Sequence, residues 1–165
     1  MALTWSYSSL ELFKQCPYKY YRLRVAKDIV EPESEAMRYG TEVHKAAENF
    51  VKDGTPIPEK FAFIRPVVEA LNRIEGEKHT EIQLGVANND GRLSPCGFFD
   101  KGVWYRGIAD LLIINGDEGF LVDYKSSKNA KYADLKQLDL LAGAVFTHFP
   151  QVKSLKSALI FVVSN

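Results

Sequence analysis

Hydrophobic and polar positions change their period along this chain near His79. Before it, apolar residues recur at three- and four-residue intervals; after it, they mostly alternate. The first helical stretch is predicted to open at Ser8, with Glu11 three residues on as the second half of a capping box, and to carry Leu10, Phe13 and Lys14 until Cys16-Pro17 interrupts it. From Glu35 to about Val51, the positions Gly40, Val43, His44, Ala47 and Val51 fall on one helical stripe, and Asp53-Gly54-Thr55-Pro56 ends it. A third helical stretch, roughly Glu59 to Glu75, presents Phe61, Ile64, Val68, Leu71 and Ile74, with Pro66 kinking or dividing it.

Beyond His79, Glu81-Ile82-Gln83-Leu84-Gly85-Val86 alternates as a strand does, and Asn88-Asn89-Asp90-Gly91 is a turn. A second strand is predicted from about Val103 to Ile114, then a hairpin at Asn115-Gly116, then a third from Phe120 to Ser126. Tyr132 to Phe149 reads as a helix with Leu135, Leu138, Ala142, Val145, Phe146 and Phe149 inward, stopped by Pro150. Ala158 to Val163 reads as a buried strand. Helices, three strands, a helix and a strand predict an α/β fold: a central mixed sheet flanked by helices, with a helical N-terminal region and a right-handed parallel crossover at the end. Residues 1–165 are expected to form one domain, 1–78 mainly helical and 79–165 the sheet core with its helix.

Composition changes this picture little. The chain is 46% hydrophobic and 25% charged, as ordinary globular proteins are, and no apolar run approaches the roughly 20 residues that span a bilayer. The first residues lack the layout of a signal peptide, so a cytoplasmic location is expected. Cys16 and Cys96 stand far apart without a CxxC companion and are expected to be free thiols. Charge has more consequence. With 21 basic and 21 acidic residues, any nucleic-acid partner must be held by a local basic patch.

One such patch is Tyr18-Lys19-Tyr20-Tyr21-Arg22-Leu23-Arg24, where rings suit stacking on bases and cations suit phosphates. The same pattern also fits an amphipathic helix whose tyrosines pack and whose cations snorkel. The hairpin is the other candidate. Asp110 ends Gly107-Ile108-Ala109-Asp110 on one strand, and Asp123-Tyr124-Lys125 ends the next. Residues i and i+2 share a face, so Asp123 and Lys125 project together while Tyr124 points away. Plausible registers bring Asp110 and Asp123 close, where they repel each other unless a cation makes them ligands. Carboxylates with water suit Mg²⁺, and one added imidazole tolerates Mn²⁺. Lys125 could then orient or deprotonate an attacking water or hold a phosphate, and Gly107 would admit a close backbone. Against this stand plainer readings: Asp and Lys are common on surface hairpins, and a histidine on an apolar stripe is often a core residue.

Taken together and in order, these segments resemble the PD-(D/E)XK nuclease superfamily in its RecB-like exonuclease branch, which includes CRISPR adaptation nucleases and phage exonucleases. The resemblance rests on Ser6-Tyr7-Ser8-Ser9-Leu10 leading to Cys16-Pro17-Tyr18-Lys19-Tyr20-Tyr21, then Gly40-Thr41-Glu42-Val43-His44, Gly107-Ile108-Ala109-Asp110, Asp123-Tyr124-Lys125 and Gln137. It implies a restriction-endonuclease-like core and a Mg²⁺- or Mn²⁺-dependent deoxyribonuclease, exonuclease rather than endonuclease, in a bacterial or phage-infected cell. His44, Asp110 and Asp123 would be metal ligands with the backbone carbonyl of Tyr124, Lys125 the catalytic lysine, and Gln137 a support from the following helix. Tyr18, Lys19, Tyr20, Tyr21, Arg22 and Arg24 would line the DNA path, and recombination or replication proteins would be partners. The chain departs from the pattern at Leu141, where many relatives have tyrosine. It has no cysteine after Cys96, so no iron–sulfur cluster is expected. Relatives usually continue past the position of Val163, so the chain is read as compact or shortened. The competing readings are a structure-specific endonuclease, a nuclease-derived DNA- or partner-binding module that no longer turns over, and a structural metalloprotein.

Overall fold

A computed structural model describes residues 4–126 and 134–162. Its centre is one five-stranded sheet in the order β2-β1-β3-β4-β5. The strands are β1 (Glu77–Asn89), β2 (Arg92–Cys96), β3 (Val103–Asn115), β4 (Glu118–Lys125) and β5 (Ser154–Phe161). β1 pairs antiparallel with β2 and β3, β3 pairs antiparallel with β4, and β5 runs parallel to β4 after helix α5 (Lys136–His148). The mixed sheet flanked by helices is the class the hydrophobic pattern predicts.

Helices cover both faces. On one side Val43 and Ala47 of α3 (Glu35–Asp53) and Val68 of α4 (Arg65–Asn72) pack on Leu111, Ile113, Val122 and Tyr124 of the sheet. On the other, Leu138, Leu141 and Val145 of α5 pack on Leu84, Val86, Leu112 and Leu121. Burying each of the Val, Leu and Ile side chains among them contributes about 1.5–3 kcal/mol, so the sheet is clamped from both sides and its strand ends are held in place. Ser34 caps α3, and Gly54 at φ 76 closes it. Pro66 divides the third helical stretch as expected: a 3₁₀ segment, Glu59–Ile64, precedes it, and α4 begins with the proline in its first turn. Among the described residues no helix is long and apolar enough to cross a membrane.

Several expectations need correction. Helix α1 (Tyr7–Gln15) is capped by Ser6, not Ser8: Ser6 Oγ accepts from Ser9 N–H and the Ser9 side chain bonds back. Glu11 instead pairs with Lys14 at 2.8 Å. Strand β2 is not among the predicted strands; it contains Pro95, and as an edge strand it tolerates a residue without an N–H. Asn115 pairs with Glu118, so the hairpin loop is Gly116-Asp117, one residue later than the Asn-Gly signal places it. β5 lies at the opposite edge and is half-exposed rather than buried. Leu135, which precedes α5, and Phe146 on it are exposed, and Leu141 and Ala144 take the inward positions. The predicted start of that helix at Tyr132, and Val163, lie outside the described residues.

Candidate metal centre and catalytic lysine

Strand alternation fails at one level of the sheet, and the acidic cluster forms there. On β1, Ile82, Leu84 and Val86 face the α5 side, yet so does His79, whose ring lies 5.4 Å from Phe149. Parity therefore slips between His79 and Glu81, and Glu81 itself sits at φ 49, a left-handed conformation costly for a residue with a side chain. On β3, Tyr105 and Ala109 face the α5 side, but so do Leu112 and Ile114, while Leu111 and Ile113 face α3. The two breaks are level, since Thr80 pairs with Leu111 and Ile82 with Ala109. Their result is that Glu81 and Asp110 both turn towards α3.

Helix α3 meets them with His44. Gly40, one turn earlier, approaches the end of β4 so closely that a Cβ there would stand 2.9 Å from Ser126 Oγ. His44 Nδ1 lies 3.4 Å from Asp110 Oδ1, and ligand-capable atoms of His44, Glu81 and Asp110 all fall within 4.8 Å of one another. The three line a cleft of about 590 Å³. Burial works against a charged His44, but the hydrogen bond and charge of Asp110, with Glu81 and Asp123 beyond, hold its pKa above the usual imidazole value. Burial, then the charge of Asp110, pushes the Glu81 carboxyl up. An imidazole and two carboxylates whose mutual repulsion is only partly relieved are a donor set that a hard divalent cation fits.

Asp123 and Lys125 lie on the other side of the strand end. Asp123 is only 4% exposed, and burial followed by the charge of Asp110 raises its pKa, against the pull of Lys125 and His44. Gln137 of α5 bridges the pair: its Nε2 donates to Asp123 Oδ1 at 2.8 Å, and its Oε1 accepts from Lys125 Nζ at 2.8 Å. Lys125 Nζ is also 2.6 Å from Asp123 Oδ2, an ion pair outside hydrogen-bond geometry, and Oδ2 accepts no hydrogen bond among the described residues. Tyr124 points away into the α3-side core, as strand parity requires. Its backbone N–H donates to Asp110 Oδ2 at 2.6 Å, tying the two halves together.

The structure thus groups His44 and Asp110 with Glu81, and Asp123 with Lys125 and Gln137. Glu81 escaped sequence reading because it counts as an ordinary member of an alternating strand; its one signal was a carboxylate level with Asp110. Gly107 has no room for a side chain: a Cβ there would meet Leu141 Cδ2 at 2.6 Å and Tyr105 Oη at 2.7 Å. The aromatic–basic segment forms α2 (Pro17–Tyr20) and a π-helical turn, Tyr21–Ala26. Within it, Lys19 pairs with Glu31 and Arg22 with Asp28, each at 2.7 Å. Tyr20 packs edge-on against Phe13, while Tyr18 and Tyr21 are exposed and Arg24 is unpaired among the described residues. Cys16 Sγ accepts from Lys19 N–H as the cap of α2, and both cysteines are free thiols.

No curated protein matches the chain. A solved structure described as "Crystal structure of SSO0001" is 18% identical over 92% of this chain and 72% of its own, with a TM-score of 0.32, too distant to bear on the site. The sequence profile of the PD-(D/E)XK nuclease superfamily matches residues 4–162, a span that includes both strand parity breaks and every group of the cleft. With the mixed sheet and its helices in agreement, the chain belongs to the PD-(D/E)XK nuclease superfamily.

Proposed function

We propose that the protein is a Mg²⁺- or Mn²⁺-dependent deoxyribonuclease that hydrolyses phosphodiester bonds from a DNA end, as an exonuclease of DNA processing or recombination. The carrying observation is the convergence of His44, Glu81 and Asp110 within 4.8 Å beside the Asp123–Gln137–Lys125 network. A divalent cation held by His44, Glu81 and Asp110 would supply Lewis-acid stabilisation of charge on phosphorus oxygens, and Asp123 and the Tyr124 carbonyl, at the same strand end, are the further donors that the family resemblance implies. The protein's own groups do the rest. Lys125 has three N–H donors; Gln137 takes one, Asp123 lies against the ammonium, and a further donor remains for a phosphate oxygen or the attacking water. The water oxygen bonds to phosphorus as the bond to the leaving strand breaks; the water's proton passes to solvent, the leaving oxygen takes one from solvent, and a fixed ammonium stabilises the charge that builds between them. Gln137 holds Lys125 and Asp123 together, so their spacing is set before substrate arrives.

DNA labelled at its 5′ or 3′ end and incubated with each metal tests the reading. Shortening of linear strands with circular DNA left intact is expected, and Lys125→Ala and Asp123→Ala should each abolish it. Wild-type protein that cuts no form of DNA with either metal would sink the proposal. Nicking of circles would replace it with an endonuclease.

A further inference from the structure

We infer that Arg24, Lys27 and Arg106 form a second phosphate-binding site, apart from the metal cluster, that grips the strand being processed. The inference rests on the nucleic-acid reading above. These three cations, with the hydroxyls of Ser6, Ser8 and Ser9, line a depression of about 400 Å³ into which no carboxylate projects among the described residues. Cations close to them in sequence are already engaged: Lys14 with Glu11, Lys19 with Glu31, Arg22 with Asp28. Arg24, Lys27 and Arg106 make no ion pair among the described residues, although the chain carries as many acids as bases. Cations left without acids in a neutral protein form a local positive field suited to an anion.

Two of the three have anchored backbones, and one has an anchored side chain. Lys27 closes the π-helical turn at φ 52, its N–H bonded to the Arg22 carbonyl. Arg106 donates its backbone N–H to the Trp5 carbonyl at 3.0 Å and lays its guanidinium over Phe98, 5.3 Å from the ring centre. Stacking of that kind leaves the edge donors of the guanidinium free for a planar or bidentate acceptor.

The depression also joins the catalytic cleft. Ser6, Ser8 and Arg106 line an adjoining hollow of about 350 Å³ that reaches Gln137 and Ile108, and Ile108 lines the cleft of His44, Glu81 and Asp110. Arg106 and Asp110 are four positions apart on β3, roughly 13 Å at about 3.3 Å per residue. The phosphate gripped here therefore belongs to a nucleotide a few positions from the bond being cut, as a phosphodiester within the strand or a monoester at its end.

Binding of fluorescent single strands in EDTA, where nothing is cleaved, tests this separately from activity. Strands with 5′-phosphate, 3′-phosphate and hydroxyl ends are titrated over a range of salt. The Arg24→Gln/Lys27→Gln double variant should bind about tenfold more weakly, with the slope of log affinity against log salt reduced by about 1.4, two phosphate contacts' worth. Arg106→Gln should act in the same direction, and decides alone if thermal melting finds the double variant unfolded. Arg73→Gln, at the far end of α4, should leave the slope unchanged. A wild-type preference for one phosphorylated end, lost in the variants, assigns a terminal monoester; equal weakening on all strands assigns an internal phosphodiester; both uphold the site. Unchanged affinity and slope in the folded variants overturn it. Should the wild type bind no strand in EDTA, the metal-dependent cleavage assay above judges the nuclease reading, and calorimetric titration with inorganic phosphate judges the pocket: saturable binding lost in the variants upholds it, and no binding overturns it.

Discussion

Glu81→Gln is the substitution that most directly tests the metal centre, because its effect should change sign with the metal. Ligand-capable atoms of Glu81 and Asp110 lie within 4.8 Å of each other. Two full negative charges at that distance repel by about 3.5 kcal/mol at an effective dielectric of about 20. The positive charge favoured on His44 and the solvent reaching a half-buried Glu81 cut this to about 1 kcal/mol. The amide side chain would keep the length and the backbone strain while removing the charge, and Glu81 makes no hydrogen bond among the described residues that the exchange would break. For a chain of 165 residues, the metal-free variant should melt about 2–4 °C above wild type. With Mn²⁺ at about 100 times its wild-type Kd, the wild type should gain about 2.7 kcal/mol, or about 5–11 °C. Losing one ligand should weaken affinity about tenfold or more, so the variant gains about 1.4 kcal/mol or less at the same Mn²⁺ concentration. Scanning calorimetry in EDTA and in Mn²⁺ gives all four melting points. An equal Mn²⁺ gain in both proteins removes Glu81 from the ligand set, and a lower metal-free melting point in the variant refutes the repulsion argument.

Other consequences concern the same few residues. The Tyr124 hydroxyl is buried without a hydrogen-bond partner among the described residues, so Tyr124→Phe should leave stability unchanged or raise it by about 1 kcal/mol, read as a higher urea midpoint. A loss of more than about 1 kcal/mol would mean the hydroxyl has a partner. Gly107→Ala should cost about 1–3 kcal/mol, since its Cβ meets Leu141 and Tyr105, and much of that should return in the Gly107→Ala/Leu141→Val double variant; additive losses would locate the strain elsewhere. Mn²⁺ affinity should depend on pH with a definite sign. The ligands bind deprotonated, and burial of His44 is outweighed by Asp110, which raises its pKa. Affinity measured by calorimetry should therefore fall as pH drops, with the bend above the ordinary imidazole value of about 6.5. A flat affinity between about pH 6 and 8 counts against His44 as a ligand.

The hairpin could be read from the sequence because its information is local. A two-residue period puts Asp123 and Lys125 on one side and Tyr124 on the other, and the structure has Gln137 bonded to the first two while Tyr124 packs under α3. The stripe of Gly40, Val43, His44 and Ala47 was legible for the same reason, as three of them are buried on α3 with His44 at their edge. What could not be read depended on competition or on distant partners. Ser6 and Ser8 are both good caps, and only the reciprocal bond with Ser9 decides between them. Lys19, Arg22 and Arg24 look equivalent in sequence until Glu31 and Asp28 fold back on the first two.

Glu81 was hidden for a further reason: it sits where the alternation rule breaks. Had β3 kept the alternation of Leu112 and Ile114, Asp110 would face α5 beside Asp123, stacking two acids under Gln137 and taking Asp110 away from His44 and Glu81. The parity slip beside Asp110 instead turns that carboxylate to α3, and the left-handed backbone of Glu81 lies level with it on β1. Strain at Glu81, of about 1–3 kcal/mol, is held by two buried cores that fix the strands on either side of it. The acids are thereby divided between two faces of one strand end, Asp110 with Glu81 and His44, Asp123 with Lys125. The Tyr124 amide on Asp110 is the one direct bond between the groups among the described residues. A phosphate lying across that strand end can meet a cation ligand set on one side and a fixed ammonium on the other, an arrangement that a regular hairpin with the same sequence motif would not provide.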